Sequence, residues 1–485
     1  MNRPIRVMAI ACLVMFVALM ANINYVQYVD ADDLNARDGN NRVLHDEFSR
    51  ERGPIIVGDR QIALSVPVDD EFDYLRTYRQ TNLYANLTGF YSYINGSSDI
   101  ESSQNSILSG SDPRLFVNRV IDLLSSEQSK GGSVELTIDP QAQRAAYDGL
   151  RDLEAGSKGA VVALDPDTGA VLSMVSMPGY DPNPMASHDF EAAGEAYQEL
   201  IKDPNRPMSD RSREEIYPPG STFKLVTSAA ALQNGYEPGS KINSSAALSF
   251  DGIDYQLTNL DGSSCPGSTL EAALAYSCNV AFGAVGLDLG GETVREQAEA
   301  FGFGDDSYLD DLTVAPSQVT AGPEELNDPQ LAQTSIGQYN VAATPLQMAM
   351  VAASVVNEGT VMQPYIVSEV RSPEADPLER TQPDEYSEPM SSEAAAMLRQ
   401  MMQATAEYGT ASGVGLPPGS GAKTGTAQRG EEQNPYAWFV CFDPEGEVAV
   451  AVFIEDASGV ARDDISGSGL AGPIALDVMN AVRPQ

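Results

Sequence analysis

Histidine is nearly missing from this chain of 485 residues, which has two, His45 and His188. Neither lies near a motif, which argues against a Ser-His-Asp triad and against a histidine-ligated zinc site. Basic residues are also scarce: 29 Lys and Arg stand against 69 Asp and Glu, a formal net charge of −40. A nucleic-acid binder needs a basic footprint, and this balance excludes one. The acidity reads as a solubility property of an exposed domain. Cysteines number four. Cys12 falls in an apolar run and Cys441 in an apolar strand pattern, as a buried free thiol. Cys265 and Cys278 are the possible pair in an oxidising compartment. Long hydrophobic runs are absent but for one.

That run is N-terminal. Arg3 and Arg6 precede apolar residues from Val7 to Ala21, and the apolar character continues through Ile23, Tyr25 and Val26. About 20 such residues span a bilayer core as a helix. The flanking cations place the N-terminus in the cytoplasm. No clean small-x-small cleavage site follows, so an uncleaved anchor is expected instead of a signal peptide. The expected order is a cytoplasmic stub over 1–5, a transmembrane anchor over 6–27, a pedestal or dimerisation-like domain over 28–133 and a catalytic domain over 134–485. The catalytic domain would face the extracytoplasmic side of the cell membrane. A hydrophobic content of 42% is enough for a real core, and the length predicts two or three domains.

The pedestal is polar, with strand-like runs at Ile55–Val57 and Ile62–Val66, and Ile94–Asp112 reads as loops. From Val134 the pattern changes. A strand leads to a helix near Pro140, then Gly159–Leu164 and Ala170–Val175 form a hairpin around Asp165-Pro166-Asp167-Thr168-Gly169. Several apolar helices follow, and strands at Tyr436–Phe442 and Val448–Ile454 precede a last helix near Pro473. Two strands, many helices, then strands and a helix imply an α+β domain whose sheet is assembled from both ends of the sequence.

Three short elements carry chemistry. In Pro218-Pro219-Gly220-Ser221-Thr222-Phe223-Lys224, a helix starting at the glycine puts Ser221 and Lys224 on one face. The helix continues apolar, so Lys224 is desolvated. Desolvation and the helix N-terminus both lower its pKa. A neutral amine beside a serine can take its proton and activate a nucleophile without histidine. Ser-x-x-Lys alone is a weak signal, and Ser420-Gly421-Ala422-Lys423 repeats it. That copy leads into a strand, where residues three apart point to opposite faces, so Ser420 cannot use Lys423. The second element is Ser277-Cys278-Asn279 after the helical run Leu270–Tyr276. A hydroxyl there can relay a proton and a carboxamide can hold an amide. The third is Lys423-Thr424-Gly425-Thr426-Ala427, where Gly425 would let a substrate backbone approach the strand. Taken singly, these are a buried helix start, a helix cap and an edge strand.

Together and in this order, Ser221-x-x-Lys224, Ser277-x-Asn279 and Lys423-Thr424-Gly425 resemble the three motifs of penicillin-recognising serine transferases and hydrolases. The likeness extends to Val134–Gln143, Gly159–Asn183, Tyr217–Lys224, Thr269–Phe282 and Trp438–Phe442, and there it is to the class B penicillin-binding proteins. The resemblance implies a penicillin-binding, serine β-lactamase-like transpeptidase domain, an antiparallel sheet flanked by helices, on a mostly β pedestal with one transmembrane helix. It implies a peptidoglycan D,D-transpeptidase with no cofactor and no metal, whose substrates are stem peptides ending in D-Ala-D-Ala and whose inhibitors are β-lactams. Ser221 would be the nucleophile, Lys224 its base and Ser277, with Lys423 nearby, the proton donor to the leaving D-alanine. Asn279 would hold the substrate amide, and Thr424 and Thr426 the terminal carboxylate. The backbone N–H groups of Ser221 and Thr426 would form the oxyanion hole. A polytopic membrane glycan polymerase would be the partner, since the roughly one hundred pedestal residues are too few for a glycosyltransferase domain. A D,D-carboxypeptidase differs only in using water as acceptor. A β-lactam sensor and a non-catalytic wall scaffold fit less well. A β-lactamase needs a deacylating base, and the nearest downstream acids, Asp288, Glu292 and Glu296, read as solvent-facing.

Overall fold

The structure, a computed structural model, describes residues 3–28, 41–115, 130–153, 156–260, 262–319, 326–429, 433–457 and 459–482. Residues 1–2 of the expected stub and 29–40 and 116–129 of the expected pedestal lie outside the described residues. Helix α1, Arg3–Tyr28, is the apolar run, and its hydropathic window has 0% of its residues buried against the rest of the fold. It is long and apolar enough to cross a membrane.

Next come a short helix α2 (Asn41–Phe48) and strands β1 (Ile55–Val57), β2 (Arg60–Pro67) and β3 (Tyr74–Tyr78). The segment expected as loops is in part helical, with turns of helix at Asp99–Ser103 and Asn105–Leu108. Burial decides this against a polar local sequence, because Ile100, Ile107 and Leu108 are all inside. Glu101 is buried with them and is matched by two guanidiniums: Arg52 Nε and Arg76 Nε each donate to it at 2.6 Å.

Strand β4, Ser133–Leu136, runs parallel to β1. Helix α3 (Pro140–Arg151) follows, capped by the Asp139 side chain accepting from the N–H groups of Gln141 and Ala142. Strands β5 (Lys158–Leu164) and β6 (Val171–Met177) make the predicted hairpin, turned at Gly169 with φ +80. After helix α4 (Lys224–Gln233) come a small hairpin of β7 (Ala247–Phe250) and β8 (Ile253–Thr258), then helices α5 (Leu270–Ala275), α6 (Asn279–Leu289) and α7 (Pro345–Val356). Strands β9 (Val367–Arg371) and β10 (Pro377–Arg380) precede helix α8 (Ser392–Glu407). The chain ends with β11 (Gly421–Ala427), β12 (Tyr436–Phe442), β13 (Ala449–Asp456) and helix α9 (Gly472–Val482).

Two sheets organise these elements. The five-stranded one has the order β11-β12-β13-β5-β6, antiparallel throughout, so it does join both ends of the catalytic region. Its strands are apolar on both faces. Val161, Ala163, Phe439, Val450 and Val452 pack with α3 and α9. Their neighbours Val162, Leu164, Val440, Ala451 and Phe453 turn to the other side, with α4 and α7. Lys224 to Leu232 of α4 are all buried, so this helix is the axis of the core. The six-stranded sheet has the order β10-β9-β4-β1-β2-β3. Residues far along the chain thus complete the pedestal: β9 pairs antiparallel with β4.

Candidate active site

Ser221 lies on a 3₁₀ turn, Gly220–Phe223, that runs directly into α4. Residues three apart on such a turn eclipse, so Ser221 and Lys224 share a face. The turn is clasped from two sides. Gly220 donates its N–H to the Gly337 carbonyl at 3.0 Å. Gly337 has φ +76, and a Cβ there would fall 2.0 Å from the Gly220 oxygen, so no other residue fits. On the other side the fully buried Trp438 donates from Nε1 to the Pro218 carbonyl at 3.0 Å.

Lys224 is fully buried. Its Nζ donates to the Ser277 carbonyl at 2.7 Å and to Asn279 Oδ1 at 2.8 Å, with Ser277 Oγ at 3.3 Å. Burial, and after it the like charge of Lys423, push its pKa well below the ordinary lysine value. The second cause is thus a neighbouring lysine, where the sequence pointed to the helix N-terminus. A neutral amine has two N–H bonds and one lone pair. The carbonyl and carboxamide oxygens can only accept, so they engage both N–H bonds and leave the lone pair for a hydroxyl.

Ser277 sits between α5 and α6 with φ +58, a left-handed conformation that a β-carbon disfavours. The cost is local, and the result is that its carbonyl and hydroxyl both face amines. Lys423 Nζ donates to Ser277 Oγ at 2.9 Å and to the Thr424 carbonyl at 2.9 Å. Burial pushes the Lys423 pKa down to about 7. The structure therefore brings Lys224, Ser277 and Lys423 into one hydrogen-bonded chain from three distant segments. Asn279 is fixed from behind, its Nδ2 donating to the Thr258 carbonyl at 3.1 Å. Asn259 next to it accepts from the Val280 N–H at 3.1 Å and donates to the Ser263 carbonyl at 2.8 Å. Cys265 and Cys278 are joined as a disulfide, with Cα atoms 5.7 Å apart, so the loop after β8 is tied to this motif. Cys441 is free and buried, and burial raises its thiol pKa.

The motif on β11 is placed differently from expectation in one respect. A Cβ on Gly425 would lie 3.0 Å from the Pro219 oxygen, 3.0 Å from Trp438 Cβ and 3.1 Å from Thr222 Cγ2. The missing side chain admits the turn that carries Ser221, not a substrate backbone. Thr424 and Thr426 face the other way and line a cleft of about 570 Å³ together with Ser221, Ser277 and Asn279. Ser420 is outside it and 1% exposed, and the Lys423 amine is turned to Ser277 and Thr424. Asp288, Glu292 and Glu296 are exposed, and the described residues lining the cleft include no aspartate or glutamate. Gly337, Trp438 and Asn259 are supports the sequence did not single out for this purpose. Trp438, the one tryptophan of the chain, was the only one of them with a signal.

Fold and site together define an active-serine acyl-transfer enzyme, with two buried lysines at the site and no histidine among the described residues lining the cleft. The profile of the penicillin binding protein transpeptidase domain matches residues 159–480, and that of the penicillin binding protein A dimerisation domain matches residues 52–134. Peptidoglycan D,D-transpeptidase PbpA of Mycolicibacterium smegmatis is 41% identical over 98% of this chain and 97% of its own length. Its Mycobacterium tuberculosis counterpart is 38% identical over 99% of both chains. The ceftriaxone acyl-enzyme complex of penicillin-binding protein A from M. tuberculosis superposes with a TM-score of 0.85, at 38% identity, covering 90% of this chain and 99% of that one. The chain belongs to the class B penicillin-binding proteins, transpeptidases without a glycosyltransferase domain.

Proposed function

We propose that this protein is a peptidoglycan D,D-transpeptidase acting through an acyl-Ser221 intermediate. The observation that carries the reading is the chain of Lys224, Ser277 and Lys423 beside Ser221. Lys224, held neutral, takes the Ser221 proton as Oγ attacks the carbonyl between two D-alanines. The N–H groups of Ser221 and Thr426 receive the developing oxyanion. The close approach of the turn to β11 supports this, since a Cβ on Gly220 would be 3.3 Å from the Thr426 oxygen. Ser277, bonded to both lysines, passes a proton to the departing D-alanine nitrogen. Asn279 orients the peptide amide and Thr424 and Thr426 hold the terminal carboxylate. An amine of a second stem peptide then displaces Ser221 and forms the crosslink.

β-Lactams mimic the donor and acylate the same serine; the M. tuberculosis relative forms acyl-enzyme complexes with ceftriaxone and imipenem. With no carboxylate among the described cleft residues, nothing there is suited to activate water against the ester. By the positive-inside rule, Arg3 and Arg6 put the catalytic domain on the extracytoplasmic face of a single-pass anchor. Glycan polymerisation is then the task of a separate polytopic membrane polymerase. The test is a thioester analogue of acyl-D-Ala-D-Ala supplied with D-amino acid acceptors. Aminolysis products in excess over the free acid support transpeptidation, and free acid alone would make the protein a carboxypeptidase.

A further inference from the structure

The Lys423-Thr424-Gly425 strand forms one wall of the cleft and the Ser277 loop the other, and a residue outside all three motifs spans them. Thr410 lies in the loop after α8 and lines the cleft. Its backbone N–H donates to the carbonyl of Ala275, the last residue of α5, at 2.9 Å. Gly409 before it lets the loop come that close, since a Cβ there would be 2.3 Å from the same oxygen. From this fixed point the Thr410 hydroxyl sits 2.7 Å from Thr424 Oγ1.

A pair of hydroxyls at that distance holds two protons, one of them between the oxygens. If Thr424 donates to Thr410, Thr424 presents only lone pairs to the cleft and repels a carboxylate. If Thr410 donates, the Thr424 proton is free to point at an anion, and a hydroxyl that accepts one hydrogen bond donates a stronger one. An arriving carboxylate selects the second arrangement. We propose that Thr410 is a positioning and specificity residue, whose hydroxyl donates to Thr424 and aims the Thr424 proton at the terminal carboxylate of the donor peptide or β-lactam. This rests on the reading of Thr424 as a carboxylate contact.

The experiment compares acylation of the purified full chain by benzylpenicillin and by its methyl ester, which keeps the ring and loses the charge. The readout is the ratio of the two second-order rate constants, which general damage to the site leaves in place. In Thr410→Val, of the same shape without a hydroxyl, the acid-to-ester ratio should fall about 10-fold, the effect of losing a hydrogen bond toward a charged group. Thr410→Ala should behave alike, and Thr410→Ser should restore the ratio. Thr424→Val serves as the reference and should also lose discrimination. A normal ratio in Thr410→Val and Thr410→Ala beside a lost one in Thr424→Val overturns the role of Thr410 alone. A normal ratio in all three overturns the reading of Thr424 and the proposal with it. Equal slowing of acid and ester, or no rescue by serine, makes Thr410 merely structural and overturns the proposal.

Discussion

At the residue scale, the proposed mechanism requires Lys224 to lose its charge. Lys224 is buried, and Lys423 reinforces its low pKa. Acylation by penicillin should therefore fall as pH drops through the depressed Lys224 pKa and hold above it, because only the neutral amine accepts the serine proton. Removing the neighbouring charge with Lys423→Met should raise the Lys224 pKa and move the acid limb of the remaining activity to higher pH. Stability should follow the same sign. Between about 7 and 10.5 the unfolded chain keeps the Lys423 proton that the folded one has lost, so folding gains as pH rises across that window. Lys224→Arg should acylate as poorly as Lys224→Ala, down by at least about 100-fold, since a guanidinium stays protonated. Rates from fluorescent-penicillin labelling check the acylation effects and thermal melting against pH checks the stability, and an active arginine variant would refute a lysine base.

At the element scale, the three motifs were legible because each rests on local chemistry: a serine and lysine one turn apart, a hydroxyl and carboxamide two apart, an alternating strand. What lay beyond reading were contacts between segments distant in sequence. Nothing near Gly337 announces that Gly220 lies against it, and nothing in Gly425 says that Thr222 fills its place. Ile94–Asp112 looked like loops because its polar residues outnumber the buried Ile100, Ile107 and Leu108, and tertiary burial won. Gly337→Ala should destabilise the protein by about 2–4 kcal/mol, from left-handed strain plus the clash with the Gly220 oxygen, and slow acylation as the turn shifts. Thermal melting beside labelling rate measures both. The Cys265–Cys278 bridge closes a short loop, so replacing both by serine should cost at most about 3 kcal/mol. The larger effect should be on the acylation rate, since Cys278 stands between Ser277 and Asn279. An unchanged rate would mean the loop holds its shape without the bridge.

At the scale of the whole molecule, pedestal and catalytic region share structure. β9 and β10, from deep in the catalytic part of the sequence, complete the pedestal sheet through β4. Arg213 pairs with Asp99, and Gln104 Nε2 donates to Asp311 Oδ1 at 2.9 Å. The shared sheet was not visible in the sequence, which placed a boundary at Val134, inside β4. A protein without residues 1–28 should melt in a single calorimetric transition by this account, and two separated transitions would mean the halves fold independently. Ser221 alone is proposed to carry the acyl group, in a cleft that does not hydrolyse it. Intact-mass measurement of the protein with benzylpenicillin, followed by peptide mapping, tests it most directly. The account predicts one adduct on the peptide containing Ser221, persisting for many acylation half-times, present in Ser420→Ala and absent in Ser221→Ala. An adduct on Ser420, or its rapid loss with repeated turnover of penicillin, would contradict it.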